Sequence, residues 1–243
     1  MKIVLFSFLG FNIYSHGVFL TLSMIVSGWL IFRFAKREKL STKKFLPNYL
    51  CALITGIVIS RLAYYLVNIG EYRSFFELAL IWQGGLISFA GFLAGAAVFL
   101  VLLKKQAENL EKWLDITGIV FPLSIAIGRI GCALNGEFGA PTDSFLSYYG
   151  VMPTPVLEIY LCLLIFALNI TIYKKFSTKI LPYFLIFLFV EFYLFGRIFI
   201  DSWRLEKNLI IGVNSSQLTS IIILLSLTVI YLRYILKKRN YEI

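Results

Sequence analysis

Seven long apolar stretches, roughly 12–34, 47–69, 85–103, 113–134, 155–173, 181–202 and 216–236, decide what this chain can become. At about 1.5 Å per residue, a helix over each stretch spans a hydrocarbon core about 30 Å thick. Composition agrees: 59% of residues are hydrophobic, 15% are charged and the mean hydropathy is +0.83. A soluble domain is nearer half apolar and a quarter charged. The expected fold is all-α, a polytopic membrane helix bundle of about seven transmembrane helices, forming one integral-membrane domain over residues 1–243. Met1–Phe11 is too short for a cleaved signal peptide, so the first span is expected to remain.

The net charge of +10 suits nucleic acid in sum but not in placement. Arg33, Lys36, Arg37, Lys39, Lys43 and Lys44 lie between the first and second spans, and Lys104, Lys105 and Lys112 between the third and fourth. Lys174, Lys175 and Lys179 lie between the fifth and sixth, while Arg233, Lys237, Lys238 and Arg239 close the chain. These sixteen of the 23 Lys and Arg share one side if the chain crosses seven times. The positive-inside rule makes that side cytoplasmic, the N-terminus outer and the C-terminus cytoplasmic. The basic excess therefore reads as topology and attraction to membrane lipid, with no nucleic acid as partner. The outer loops at about 70–84 and 135–155 are expected to form a small periplasmic cap.

Arg61, Arg129 and Arg197 remain within spans, each 68 residues from the next and each in the outer half of its span. A repeated two-helix unit or coincidence of loop lengths accounts for the spacing equally. A lone arginine at such a depth snorkels. Three at one depth suggest a cluster for an anionic phospholipid headgroup, because guanidinium groups grip phosphate bidentately. The competing reading is internal pairing. Asp201 stands one turn after Arg197, and Glu137, Glu158 and Glu191 are further candidate partners.

Other polar groups sit on the same outer side. His16 is the only histidine, most simply structural, but the one unperturbed side-chain type that titrates near neutral pH. Trp82-Gln83-Gly84-Gly85 reads as an interfacial anchor followed by a tight turn. Cys51, Cys132 and Cys162 show neither CxxC nor metal-ligand spacing and read as small packing residues. No metal and no cofactor are expected, and no GxSxG, P-loop or HExxH motif occurs.

Gly128-Arg129-Ile130-Gly131, Asn135-Gly136-Glu137, Gly139 and Pro141-Thr142-Asp143 together resemble the signature of the prolipoprotein diacylglyceryl transferase family. The resemblance covers most of the chain. It continues through His16-Gly17, Arg61-Leu62-Ala63-Tyr64, Trp82-Gln83-Gly84-Gly85, Pro153 to Glu158, Tyr193 to Arg197 with Asp201 and Arg204, and Gln217-Leu218 after Gly212. It implies transfer of a diacylglyceryl group from phosphatidylglycerol to the lipobox cysteine thiol of a prolipoprotein, at the signal peptide. The product is a thioether, and glycerol phosphate leaves. The nucleophile then belongs to the substrate.

On this reading Arg129 and Arg197 stabilise the departing phosphate, with Arg61 supporting them or holding the bundle. Asn135, Glu137 and Glu158 orient the arginines or the glycerol hydroxyls. Tyr193 stands one turn before Arg197, so both can face one cavity. Gly84, Gly85, Gly139 and Arg204 complete the expected substrate-binding set. The family's third-span histidine is replaced by Phe89, its first-span tyrosine by His16, and the asparagine after Gly-Arg-x-Gly by Cys132. The base that takes the thiol proton is therefore a different residue, with His16 a candidate, or the activity is lost. The alternative function is a non-catalytic phospholipid-binding or lipid-translocating membrane protein. The place implied is the bacterial cytoplasmic (inner) membrane, crossed many times, with the active site toward the outer leaflet.

Overall fold

The computed structural model describes residues 4–8, 11–71, 78, 85–105, 109–176, 180–204, 208–210 and 213–241. Lys2, Arg73, Trp82, Gln83, Gly84, Lys179, Lys207 and Gly212 lie outside the described residues, as does most of the expected 70–84 loop. Helices occupy all seven apolar stretches. They are α1 (Ser15–Arg37), α2 (Phe45–Val67), α3 (Ser88–Lys105), α4 (Leu110–Leu134), α5 (Thr154–Phe176), α6 (Phe184–Ile200) and α7 (Ser215–Tyr241). Six are long and apolar enough to cross a membrane, and the chain is a multi-pass membrane protein. The seventh, α6, has 17 residues and reaches about 25 Å. A 3-10 turn at Asp201–Trp203 extends it by about 6 Å at 2.0 Å per residue.

Among the described residues, two strand pairs interrupt the all-helical expectation. β1 (Val4–Phe8) pairs antiparallel with β2 (Phe11–Tyr14), and β3 (Asn208–Ile210) with β4 (Val213–Asn214). Both lead directly into a helix, α1 and α7. Neither shows a polar-apolar alternation that would have marked it in the sequence.

By contacts the chain forms two compact units, Phe32–Leu110 and the remainder. In the first, α2 and α3 pack through small residues. A Cβ added at Gly56 would lie 2.9 Å from the Gly91 carbonyl oxygen, and one at Gly95 would lie 2.9 Å from that of Ala52. Lipid supplies no hydrophobic drive between helices, so close backbone approach takes its place. Phe45, Tyr49 and Phe99 form an aromatic cluster on this interface, with Phe45 and Tyr49 stacked at 5.5 Å.

In the second unit, polar side chains tie helices α4, α5 and α6 together. Asp115 of α4 accepts the Leu185 and Ile186 amides on Oδ1 (2.8 and 3.3 Å) and the Tyr183 amide on Oδ2 (3.1 Å). It caps α6 from another helix, since Tyr183 gives α6 no side-chain cap. Asn169 of α5, fully buried, donates to the carbonyls of Gly118 (2.8 Å) and Leu185 (3.1 Å). Gly118 lets α4 approach α6, because a Cβ there would fall 2.5 Å from the Ile186 nitrogen. Phe187 stacks on Tyr231 at 4.2 Å, and Thr228 donates to Glu191 at 3.0 Å, joining α6 to α7.

Candidate active site

The functional residues of this unit gather where α4 ends, α5 begins and α6 ends. Arg129 lies in the last two turns of α4, which stops at Leu134 before Asn135 and Gly136. Gly136 takes φ +71°, a conformation glycine reaches without steric cost, and turns the chain toward Glu137. Pro155 sits in the first turn of α5, where its missing amide hydrogen leaves no unmade bond. Glu158 follows within that turn's reach and is 2% exposed.

Glu158 is the centre of the arrangement. Arg129 approaches it side-on, with Nε 2.5 Å from Oε2 and Nη2 donating to Oε1 at 3.2 Å. Arg197 Nη1 pairs with the same Oε1, and the Tyr193 hydroxyl donates to it at 3.2 Å. Arg197 Nη2 also pairs with Asp201 Oδ2 at 3.0 Å, the i,i+4 pairing expected from spacing. Asp201, with no exposed surface, further holds Arg204 (Nε to Oδ1, 3.2 Å) and accepts from the Ser216 hydroxyl at 2.9 Å. Asn214 Nδ2 donates to the Asp201 carbonyl at 2.7 Å, and Gln217 Nε2 to that of Ile198 at 2.8 Å, fastening α7 to this end of α6. Two carboxylates thus hold three guanidinium groups close together. Isolated, each buried charge would be prohibitively costly; as a network they are sustained.

Arg129, Arg204, Glu137, Glu158, Phe138, Thr154 and Pro155 line a cleft of about 310 Å³. Phe138 and Thr154 were not singled out in the sequence, because neither side chain carries a signal without its neighbours. The loop beside the cleft is tied down: Gly139 N donates to Met152 O (2.7 Å), Ala140 N to Trp203 O (2.6 Å) and Met152 N to Ala140 O (3.0 Å). A Cβ at Gly139 would meet Thr154 at 2.8 Å, so this glycine serves close packing at the cleft edge.

A second cluster adjoins the first. His16 Nδ1 lies 3.6 Å from Cys132 Sγ and 3.9 Å from Glu137 Oε1. The Arg129 Nη1 group lies 3.8 Å from the same sulfur. Asn135 donates to Glu137 Oε1 at 3.3 Å and accepts from the Ser15 hydroxyl at 2.9 Å. Gly131 makes this possible, since a Cβ there would lie 3.0 Å from His16 Cα and 3.1 Å from Phe19 Cβ. Spacing along the chain held no metal-ligand pattern, yet the fold places these three donor atoms within 4.8 Å of one another. Cys162 is buried in α5, as a packing residue should be, and Cys51 is exposed on α2.

In the other unit Arg61, 4% exposed, donates from Nε to Leu78 O and from Nη1 to Gly85 O, both at 3.1 Å. Gly85 has φ +77°, and a Cβ there would meet the Tyr64 ring at 2.5 Å. Phe89 is 59% exposed on α3.

Comparison with known proteins covers nearly the whole chain. A family model described as prolipoprotein diacylglyceryl transferase matches residues 3–233. A Finegoldia magna protein named phosphatidylglycerol–prolipoprotein diacylglyceryl transferase is 30% identical over 246 residues, covering 96% of each chain. A protein of that name from Thermotoga maritima is 29% identical, covering 89% of this chain and 79% of its own, and one from Clostridioides difficile is 26% identical, covering 91% of each. With a family model matching residues 3–233 and a relative 30% identical over 96% of each chain, the chain belongs to the prolipoprotein diacylglyceryl transferase family.

Proposed function

We propose that this protein transfers the diacylglyceryl group of phosphatidylglycerol to the lipobox cysteine thiol of a prolipoprotein, releasing glycerol phosphate. The observation that carries the reading is the convergence of Arg129 and Arg197 on Glu158, which lines a cleft together with Arg129 and Arg204. A phosphodiester with one negative charge becomes a departing monoester with two. Guanidinium groups already in place stabilise that added charge without reorganising during the reaction. Glu158 keeps two like charges adjacent while the site is empty, and Tyr193 fixes its orientation. Arg61 serves within its own unit as a positioning residue for the Gly85 segment. His16, Asn135 and Glu137 stand on the side where the thiol is received.

The charge pattern supports an outer N-terminus and a site toward the outer leaflet of the bacterial cytoplasmic membrane, where lipoprotein precursors emerge. A second reading, a phospholipid-binding protein without transfer, is favoured by Phe89, which offers no proton acceptor. The deciding experiment presents a lipobox peptide and phosphatidylglycerol vesicles to the purified protein and follows the peptide's mass. Transfer should fall about 10²–10³-fold in Arg129→Ala and in Arg197→Ala, as for loss of one preorganised charge-stabilising group. Unchanged transfer by both variants overturns the phosphate role. Lipid binding with no transfer by the wild-type chain favours the second reading.

A further inference from the structure

We propose that His16, Cys132 and Glu137 bind one zinc ion with an open fourth position, and that this position takes the sulfur of the incoming lipobox cysteine. The first half stands on geometry and donor chemistry alone. The second half deepens the transfer reaction proposed above and rests on it.

Zinc is four-coordinate and tetrahedral, with Zn–S about 2.3 Å, Zn–N about 2.0–2.1 Å and Zn–O about 2.0–2.2 Å. Those lengths set ligand–ligand separations of about 3.5 Å between sulfur and nitrogen and about 3.4 Å between nitrogen and oxygen. The observed separations are 3.6 Å for Cys132 Sγ to His16 Nδ1 and 3.9 Å for His16 Nδ1 to Glu137 Oε1, and all three donor atoms lie within 4.8 Å of one another. A rotation of the half-exposed Glu137 side chain closes the difference. The donor set of one thiolate, one imidazole and one carboxylate selects zinc over magnesium or calcium, which take oxygen ligands. Three protein ligands with one position left over is the pattern of catalytic rather than structural zinc.

The surroundings are those of a supported site. Asn135 holds the Glu137 carboxylate and is itself held by Ser15, the outer hydrogen bonding that orients metal ligands. The Arg129 Nη1 group beside Cys132 Sγ tempers the charge of a bound thiolate. Glu137 also lines the cleft with Arg129, Glu158 and Arg204, so the ion and the phosphate site adjoin.

Such an ion makes the thiol acidic enough to react without a protein base. A thiol that binds zinc releases its proton to solvent water and remains as thiolate. Its sulfur then attacks the glyceryl carbon that carries the phosphate ester. The S–C bond forms, the C–O bond breaks, and the electron pair leaves on glycerol phosphate, which Arg129 and Arg197 receive. Nothing is oxidised or reduced, and one proton is released per transfer.

The test uses the full-length protein in lipid nanodiscs under reducing conditions, with zinc alone as the probe. About one zinc per chain is expected after dialysis, and the cobalt-substituted protein should show a sulfur-to-cobalt charge-transfer band in the near ultraviolet. Cys132→Ser should abolish the band. Glu137→Gln, at a half-exposed carboxylate whose loss spares the fold, should weaken zinc binding more than about tenfold, the least that even an outer-sphere partner costs. Cys51→Ser, on exposed α2, should leave binding unchanged. Chelation should stop transfer, and zinc but not magnesium should restore it. A wild-type chain that takes up no zinc overturns the proposal entirely. Full transfer by zinc-free protein overturns the ion's role while leaving the transferase reading intact. One bound zinc with no transfer in any form upholds the site and sinks the transferase reading.

Discussion

Glu158 is the residue on which the site depends most. It is nearly inaccessible and neutralises two arginines from different helices, 29 and 39 residues away in sequence. Removing it strands two guanidinium groups, which is costlier than never having built the pair. Glu158→Ala should cost about 3–5 kcal/mol, read as a lowered melting temperature in detergent. Glu158→Gln, which keeps the shape and one acceptor oxygen, should cost less. Equal melting of all three proteins would show that the arginines are held by something else. Arg197 and Asp201 were legible as a pair because i,i+4 positions share a helix face. Arg129 and Glu158 were legible only as separate candidates. No periodicity connects residues on different helices.

At the scale of elements, small residues and buried amides decide how closely helices approach. In the α2–α3 pair, Gly91→Leu would force a side chain into the Gly56 carbonyl and Ser60, where even a Cβ lies 2.6 and 2.8 Å away. Overpacking of this kind costs about 1–3 kcal/mol, and more where backbone is the obstacle. Gly118→Leu should behave likewise against α6. Both variants should shorten survival in detergent relative to Gly17→Ala, whose site has open space. Survival equal to wild type would mean that these helices separate without penalty. The glycines were visible in the sequence, but which glycine faces a backbone was not, since that depends on helix rotation. The boundaries of α6 also moved inward from the expected 181–202, because Asp115 caps the helix at Leu185 and a 3-10 turn closes it at Asp201.

For the whole molecule, the basic loops support the proposed orientation, with an outer N-terminus. A single cysteine at Asp143 should be labelled by an impermeant maleimide added to intact cells, and one at Lys43 only after lysis. The reverse pattern would invert the topology and place the arginine network on the inner leaflet. In either case the variants need a background with Cys51 replaced, because that thiol is exposed.

Composition and local pattern are enough to give the seven helices, their apolar character, the arginines that topology left unexplained and the family signature. Each is carried by composition or by neighbours within one turn, where hydropathy and helical geometry act locally. Packing between helices is what brings Arg129 and Arg197 to one carboxylate while Arg61 serves backbone carbonyls in its own unit. It likewise decided that His16 meets Cys132 across 116 residues. The meeting of His16 with Cys132 depends on the close approach that Gly131 permits between α1 and α4, and helix packing of that kind leaves no periodic trace in a chain read one residue at a time.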